Sequence, residues 1–194
     1  MNDKKIPIEV SVRHLHVSKE DLEKLFGPEY ALNVQRKISQ PGQFAAQESV
    51  KIIGPKGILP TVRIIGPVRE QTQLELSITD GFLLGIHPTV KVSGELEGSV
   101  GDVTLVGPGG SIEMKQGVIV AQRHLHLSPT QAAKFGLKHL DIVSVKVSGQ
   151  RALVFNNVVV RSREGVDELS FMIDTDEANA AGVRQGEFGE LIIS

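Results

Sequence analysis

Arg13-His14-Leu15-His16-Val17 and Arg123-His124-Leu125-His126-Leu127 are two copies of one string. Each follows a run rich in β-branched residues, Ile8-Glu9-Val10-Ser11-Val12 in the first case and Val118-Ile119-Val120-Ala121-Gln122 in the second. Each is followed by a serine, Ser18 or Ser128. Residues two apart on a strand project to one face, so His14 and His16 point together, as do His124 and His126. A single such pair would read as surface histidines or satisfied core histidines. Repetition takes up four of the six histidines in the chain. Two same-face pairs of neutral imidazoles favour metal ligation, zinc or its neighbours.

Working outward, Ile6 to Val12 alternates with its even-numbered residues apolar, and His14 and His16 are expected to continue that face. Ser18-Lys19-Glu20-Asp21 resembles a capping box, and Leu22, Leu25 and Phe26 then make a short helix stripe that stops at Gly27-Pro28. The second copy has Ser128 as N-cap, Pro129 at the first helical position, Gln131 three on, and Gly136 as the stop. Between the copies lie short strand signals at Val50–Ile53, 58–65, Gln73–Ile78, Val90–Val92 and Val103–Val106, separated by turns such as Gly54-Pro55-Lys56-Gly57. Asp141–Val147, Arg151–Val160 and Leu169–Ile173 follow, and a third helix falls near Asp174–Gly182. Many short strands with three short helices predict an all-β chain of barrels or sandwiches. Because the capped unit recurs, two small barrels fit better than one sandwich.

With 194 residues the chain can bury a sizeable core. A net charge of -2 gives no electrostatic case for nucleic acid or for anionic membrane as a partner. Trp is absent and aromatics are few, which argues against a base-stacking platform. Without cysteine there is no disulfide, thiolate ligand or thiol nucleophile, which suits a reducing compartment. No apolar stretch approaches the roughly 20 residues of a membrane span. A cytoplasmic protein is expected.

Other chemistry-bearing residues are less patterned. Arg63, Arg69 and Glu75 recur at even spacing, but Gly66-Pro67 interrupts them. A carboxylate beside the histidine pairs could complete a metal shell. Arginines on a β surface are normally solvated; beside a bound cation they would suit an anionic substrate, because guanidinium matches phosphate oxygens in a two-pronged fork. Arg36 and Lys37 could extend such a patch. Asp174, Asp176 and Glu177 read as helix-start carboxylates favoured by the dipole. His87 and His139 carry no motif, and the Gly-Pro stretches lack phosphate-loop context.

Several longer motifs now point one way. Arg13-His-Leu-His-Val-Ser18, Ser39-Gln-Pro-Gly-Gln-Phe-Ala-Ala46, Gly66-Pro-Val-Arg69 followed by Gln73-Leu-Glu75, Gln122-Arg-His-Leu-His-Leu-Ser128 and Ile173-Asp-Thr-Asp-Glu-Ala-Asn-Ala-Ala-Gly182 together resemble the PduL-type phosphate propanoyltransferases, which are phosphotransacylases. The match runs in order from about Ile8 to about Gly182. The resemblance implies two antiparallel β-barrels, the first (1–33 plus 118–194) built from both chain ends and the second from 34–117. It implies a two-zinc site between them, with acyl-CoA or CoA and phosphate as substrates. Position by position, His14 and His16 match ligands of the first metal, which meets the coenzyme A sulfur. Glu75, His124 and His126 match ligands of the second, and Arg69 matches the phosphate-site arginine. Ser11, Arg63 and Asn179 match coenzyme A contacts, and Arg36 stands where relatives carry lysine. One position departs: relatives read Met-His-Ile-Asp-Thr-Asp where this chain has Phe171-Met172-Ile173-Asp174. The third histidine of the second metal is thus Met172, a soft thioether poorly suited to zinc. That ion is expected to be under-occupied.

The reaction implied is acyl-CoA plus phosphate giving acyl phosphate plus CoA, reversibly, with a propanoyl or acetyl group. No thiol and no Ser/His/Asp arrangement is evident in the sequence, so direct attack by phosphate is preferred over an acyl-enzyme. Two rival readings stand: a relative that the Met172 exchange has left as a weakened CoA- or metal-binding protein, and an iron oxygenase built on two histidines and a carboxylate. We expect a homodimer, and the short start leaves no room for a microcompartment-targeting extension.

Overall fold

The computed structural model describes residues 4–193. Its strands, in chain order, are β1 (Lys5–Ser11), β2 (His14–His16), β3 (Val34–Lys37), β4 (Phe44–Ile53), β5 (Ile58–Gly66), β6 (Gln73–Glu75), β7 (Thr89–Lys91), β8 (Val103–Val106), β9 (Ser111–Met114), β10 (Val118–Ala121), β11 (His124–His126), β12 (Ile142–Val147), β13 (Leu153–Arg161), β14 (Ser170–Asp174) and β15 (Phe188–Ile192). Four short helices intervene: α1 (Lys19–Phe26), α2 (Ile78–Leu84), α3 (Pro129–Phe135) and α4 (Thr175–Ala181).

The chain divides into two compact units. The first takes the described residues through Ser11, then Ser39–Pro41 and Gln122 onward; the second takes Val12–Ile38 and Gly42–Ala121. The first unit is a closed barrel, β1-β14-β11-β13-β12-β15, filled by Ile6, Ile8, Leu125, Val160 and Phe171 among others. As the family resemblance implied, strands from both ends of the chain supply it. The second unit is a nine-stranded sheet whose path β7-β10-β6-β2-β5-β4-β8-β9 does not close, with β3 added beside β4. Both sheets are mixed rather than purely antiparallel: β1·β14, β11·β13, β2·β5, β10·β6 and β10·β7 pair in parallel.

The chain passes from the first unit to the second at Val12, and back at Gln122, in each case just before an Arg-His-Leu-His string. This overturns two expectations. His14 and His16 do not continue the Ile6–Val12 face, because β1 ends at Ser11 and β2 hydrogen-bonds to a different sheet. For the same reason residues 12–33 lie in the second unit rather than with the chain ends.

Local signals account for the helices. Ser128 and Gln131 form a complete capping box, as do Asp174 and Glu177, and Gly136 and Gly182 close these helices in the left-handed conformation. The acidic Asp174–Glu177 stretch is therefore a helix start. Helix α2 replaces the end of the strand expected over Gln73–Ile78; its signal was the capping box Ser77-Ile-Thr-Asp80. The arginine that opens each repeated string ion-pairs the third residue of a capped helix: Arg13 reaches Asp80 at 2.7 Å and Arg123 reaches Glu177 at 2.8 Å.

Glu48 on β4 anchors the loop that precedes β3. It is buried, and it accepts from Tyr30 Oη at 3.1 Å and from Asn33 Nδ2 at 2.7 Å, with the Asn33 backbone N–H shared between its two oxygens. Burial acts to raise its pKa, but these donors prevail and hold it below the ordinary carboxylate value. A depressed pKa stabilises the fold above the unfolded value of 4.5 and loses that contribution as pH falls through the folded one. Glu48→Ala is expected to cost about 1–3 kcal/mol at pH 7, because it orphans the Asn33 donors. Urea midpoints at pH 7 and pH 3 should also converge in the variant relative to the native protein.

Candidate metal centre

Leucine aims the histidines. Leu15 is fully buried in the second unit and sits in one rung with Ile64 of β5 and Leu74 of β6, all core residues. Alternation therefore turns His14 and His16 to the opposite face. There Arg63, His14 and Glu75 form the next rung across β5, β2 and β6. In the first unit Leu125 does the same between Val160 and Phe171, turning out His124 and His126.

The second unit gathers a three-residue cluster. His14 Nε2 lies 3.2 Å from His16 Nε2, and Glu75 Oε2 and Oε1 lie 3.6 and 3.7 Å from them respectively. All the candidate ligand atoms fall within 4.8 Å of one another. His14 Nδ1 faces the Val12 carbonyl at 2.9 Å, and His16 Nδ1 the Ile65 carbonyl at 3.0 Å. A carbonyl only accepts, so each Nδ1 carries a proton, and in the neutral ring that leaves Nε2 as the lone-pair nitrogen. Burial drives His16 down to about 3, aided by the His14 and Arg69 charges, so it is neutral at pH 7. Two bare nitrogens and a carboxylate converging on one point suit a cation, and three such ligands match a catalytic zinc set. Glu75 Oε1 is steadied by Gln73 Nε2 and, at 2.8 Å, by Ser93 Oγ.

In the first unit His124 and His126 are buried, with ring centroids 4.7 Å apart. His124 Nδ1 donates to the Gln122 carbonyl at 2.8 Å, and His126 Nδ1 to Asp167 Oδ1 at 2.7 Å. In the neutral rings both Nε2 atoms are again the lone-pair nitrogens. Met172 stands opposite His124 across β14, the register position that Glu75 holds opposite His14. Each also lies two residues before the N-cap of a helix, Asp174 or Ser77. Directly opposed residues share a face, so Met172 lies on the face of His124 as Glu75 lies on that of His14.

Comparison with known proteins gives the family. The family model described as phosphate propanoyltransferase matches residues 7–184. The chain belongs to the phosphate propanoyltransferase family. It is 50% identical over 183 residues to the phosphate propanoyltransferase of Thermotoga maritima, covering 94% of this chain and 86% of that protein. Against that of Rhodobacter capsulatus it is 48% identical, covering 92% and 82% respectively. Against that of Salmonella typhimurium it is 46% identical, covering 94% and 86%.

Within this chain, the structure brings Glu75 to His14 and His16. Arg69 follows β5 in the same unit, its backbone N–H donating to the Val17 carbonyl, and its charge acts on His16. Arg63 Nη1 donates to the Ala46 and Gln47 carbonyls at 3.0 and 2.8 Å. Arg36 is exposed on β3. In the first unit Ser11 is half-buried at the end of β1, and Asn179 is exposed on α4. Sequence reasoning missed Asp167 and Arg163, which lie 41 and 37 positions from His126 in a loop with no motif. No helix among the described residues is long and apolar enough to cross a membrane.

Proposed function

We propose that this chain is a zinc-dependent phosphotransacylase, moving a short acyl group, propanoyl or acetyl, reversibly between coenzyme A and inorganic phosphate. The observation that carries the reading is the His14–His16–Glu75 convergence in a chain of this family. Two zinc ions are proposed, with His14 and His16 serving one and His124 and His126 the other. Glu75 was assigned to the second ion on resemblance; its distances to His14 and His16 favour the first. When bound, zinc would act as a Lewis acid on the thioester oxygen and on the departing sulfur.

The protein's own groups supply binding and orientation. Arg69 would hold phosphate by a charge-assisted fork so that one oxygen lies in line with the thioester carbon. A phosphate oxygen–carbon bond forms, the carbon–sulfur bond breaks, and the thiolate leaves with its electron pair. Ser11, Arg36, Arg63 and Asn179 are proposed to contact coenzyme A. Direct attack is favoured over an acyl-enzyme. The hydroxyl facing His126 in register, Ser170, is fully buried and accepts from Gln40 Nε2 at 2.9 Å, so it is not presented to a substrate. The protein is proposed to be a cytoplasmic homodimer.

A coupled assay with propanoyl-CoA or acetyl-CoA and phosphate, run beside metal analysis, tests the reading. Acyl phosphate formation with close to two zinc per chain is expected. Metal-free protein with full turnover, or an acylated protein trapped on quenching, would overturn it.

A second, weaker-enzyme reading has one observation in its favour, the thioether of Met172 in a ligand position. Met172→His is expected to tighten the more weakly held zinc and to raise activity at limiting zinc by roughly tenfold, within the range a single ligand shell change produces. Chelator titration checks it; unchanged metal content and rate would show that Met172 is not the missing ligand.

A further inference from the structure

Four histidines project away from the leucines between them, and four acceptors stand behind them. Three of the acceptors are backbone carbonyls, those of Val12, Ile65 and Gln122. The fourth is a carboxylate. Asp167 has no side-chain exposure, and its Oδ1 accepts from His126 Nδ1 at 2.7 Å. Arg163 grips the same carboxylate with two donors, Nε to Oδ2 at 2.8 Å and Nη2 to Oδ1 at 2.9 Å. Arg163 itself is 40% exposed. A buried carboxylate without a partner is costly, so the loop between β13 and β14 delivers guanidinium and carboxylate together, to the imidazole that β11 presents.

A helix cap or a turn would not require this arrangement, since Asp167 caps no helix and, among the described residues, its carboxylate bonds to Arg163 and His126. We infer that Asp167, clamped by Arg163, is a positioning residue that fixes His126 as the Nδ1–H tautomer and makes its Nε2 the stronger donor of the His124–His126 pair toward a divalent cation. A carboxylate behind an imidazole raises its basicity more than a carbonyl does, and sets the ring's angle as well as its tautomer. The inference rests on the metal reading proposed above. It also accounts for a difference between the clusters: where the second unit sets the carboxylate of Glu75 beside its histidines, the first has a thioether there and places its carboxylate one shell further back.

Two readouts on the full chain test this. In long-range proton–nitrogen spectra of metal-free protein, His126 should be protonated at Nδ1, with a proton shifted far downfield by the carboxylate. Asp167→Asn should move that proton upfield. In zinc competition against a chromophoric chelator, the same variant should weaken one of two zinc ions by about 10–100-fold and leave the other unchanged. If Asp167→Asn does not fold, Arg163→Gln frees the carboxylate while keeping it, and should give the same two changes at smaller size. His126 protonated at Nε2 in the native protein overturns the inference, as do folded variants with unchanged proton shift and zinc affinity. Native protein that binds no zinc, with His126 nonetheless protonated at Nδ1, overturns the metal reading and the cation half of this inference with it. Two tightly bound zinc ions indifferent to Asp167→Asn overturn this inference alone.

Discussion

Replacing His14 and His16 together by alanine should strip one zinc from the protein and slow acyl transfer to phosphate on the order of a thousandfold, the equivalent of about 4 kcal/mol of lost charge stabilisation. The expected loss is large because the two Nε2 atoms stand 3.2 Å apart, and Glu75 alone cannot hold a cation they have vacated. The fold should survive. Leu15 and its rung partners Ile64 and Leu74, not the imidazoles, fasten β2 to the core, so the urea midpoint should change little. Metal analysis with a matched unfolding curve separates the outcomes. Unchanged zinc content would remove His14 and His16 from the ligand set, and loss of both ions together with an unfolded spectrum would show that the change acted through the fold.

Arg69→Ala should raise the Michaelis constant for phosphate about a hundredfold while leaving that for acyl-CoA within a few-fold. The estimate takes about 3 kcal/mol for a charge-assisted fork of hydrogen bonds to a dianion. Proximity supports the role, since the Arg69 charge is felt by His16 in the cluster. Arg63→Ala should do the opposite and weaken CoA, by a smaller factor, because Arg63 Nη1 is already committed to the Ala46 and Gln47 carbonyls. Initial rates with each substrate varied in turn decide between them. Equal effects of Arg69→Ala on both substrates would mean the arginine shapes the site rather than binding phosphate. Removing Arg69 also removes one of the charges that depress His16, so any change in the pH profile should be measured in the same experiment.

The two arginines illustrate what placement adds to residue type. Arg63 stands in the same rung as His14 and Glu75; even spacing had suggested only that Arg63, Arg69 and Glu75 would share a face on uninterrupted strands. Arg69 lies beyond β5, past the Gly66–Pro67 break, and reaches the cluster through the pairing of its backbone with Val17. Strand parity carried the argument as far as Gly66 and no further, because parity holds only while a strand is continuous.

What the sequence determined by itself was local. Period-two alternation with a leucine between two histidines was enough to put each imidazole pair on one face, and Leu15 and Leu125 are indeed the buried residues of their strings. Ser128, Asp174 and the glycines after them announced helix ends, because caps satisfy orphaned backbone groups within three or four residues. Ser77 and Asp80 carry the same signal for a fourth helix, which the strand reading over Gln73–Ile78 passed over. The tertiary structure decided everything that depends on which strand lies beside which. It moved β2 out of the sheet that holds β1, left the second sheet open, set Glu75 against His14, and set Met172 in the equivalent place against His124. It also brought Asp167 behind His126 from 41 positions away. Those pairings are chosen by the burial of Leu15, Leu74, Leu125 and Phe171 in two separate cores. A cross-strand neighbour is selected by which apolar rungs pack, and that selection leaves no mark in the residues adjacent along the chain.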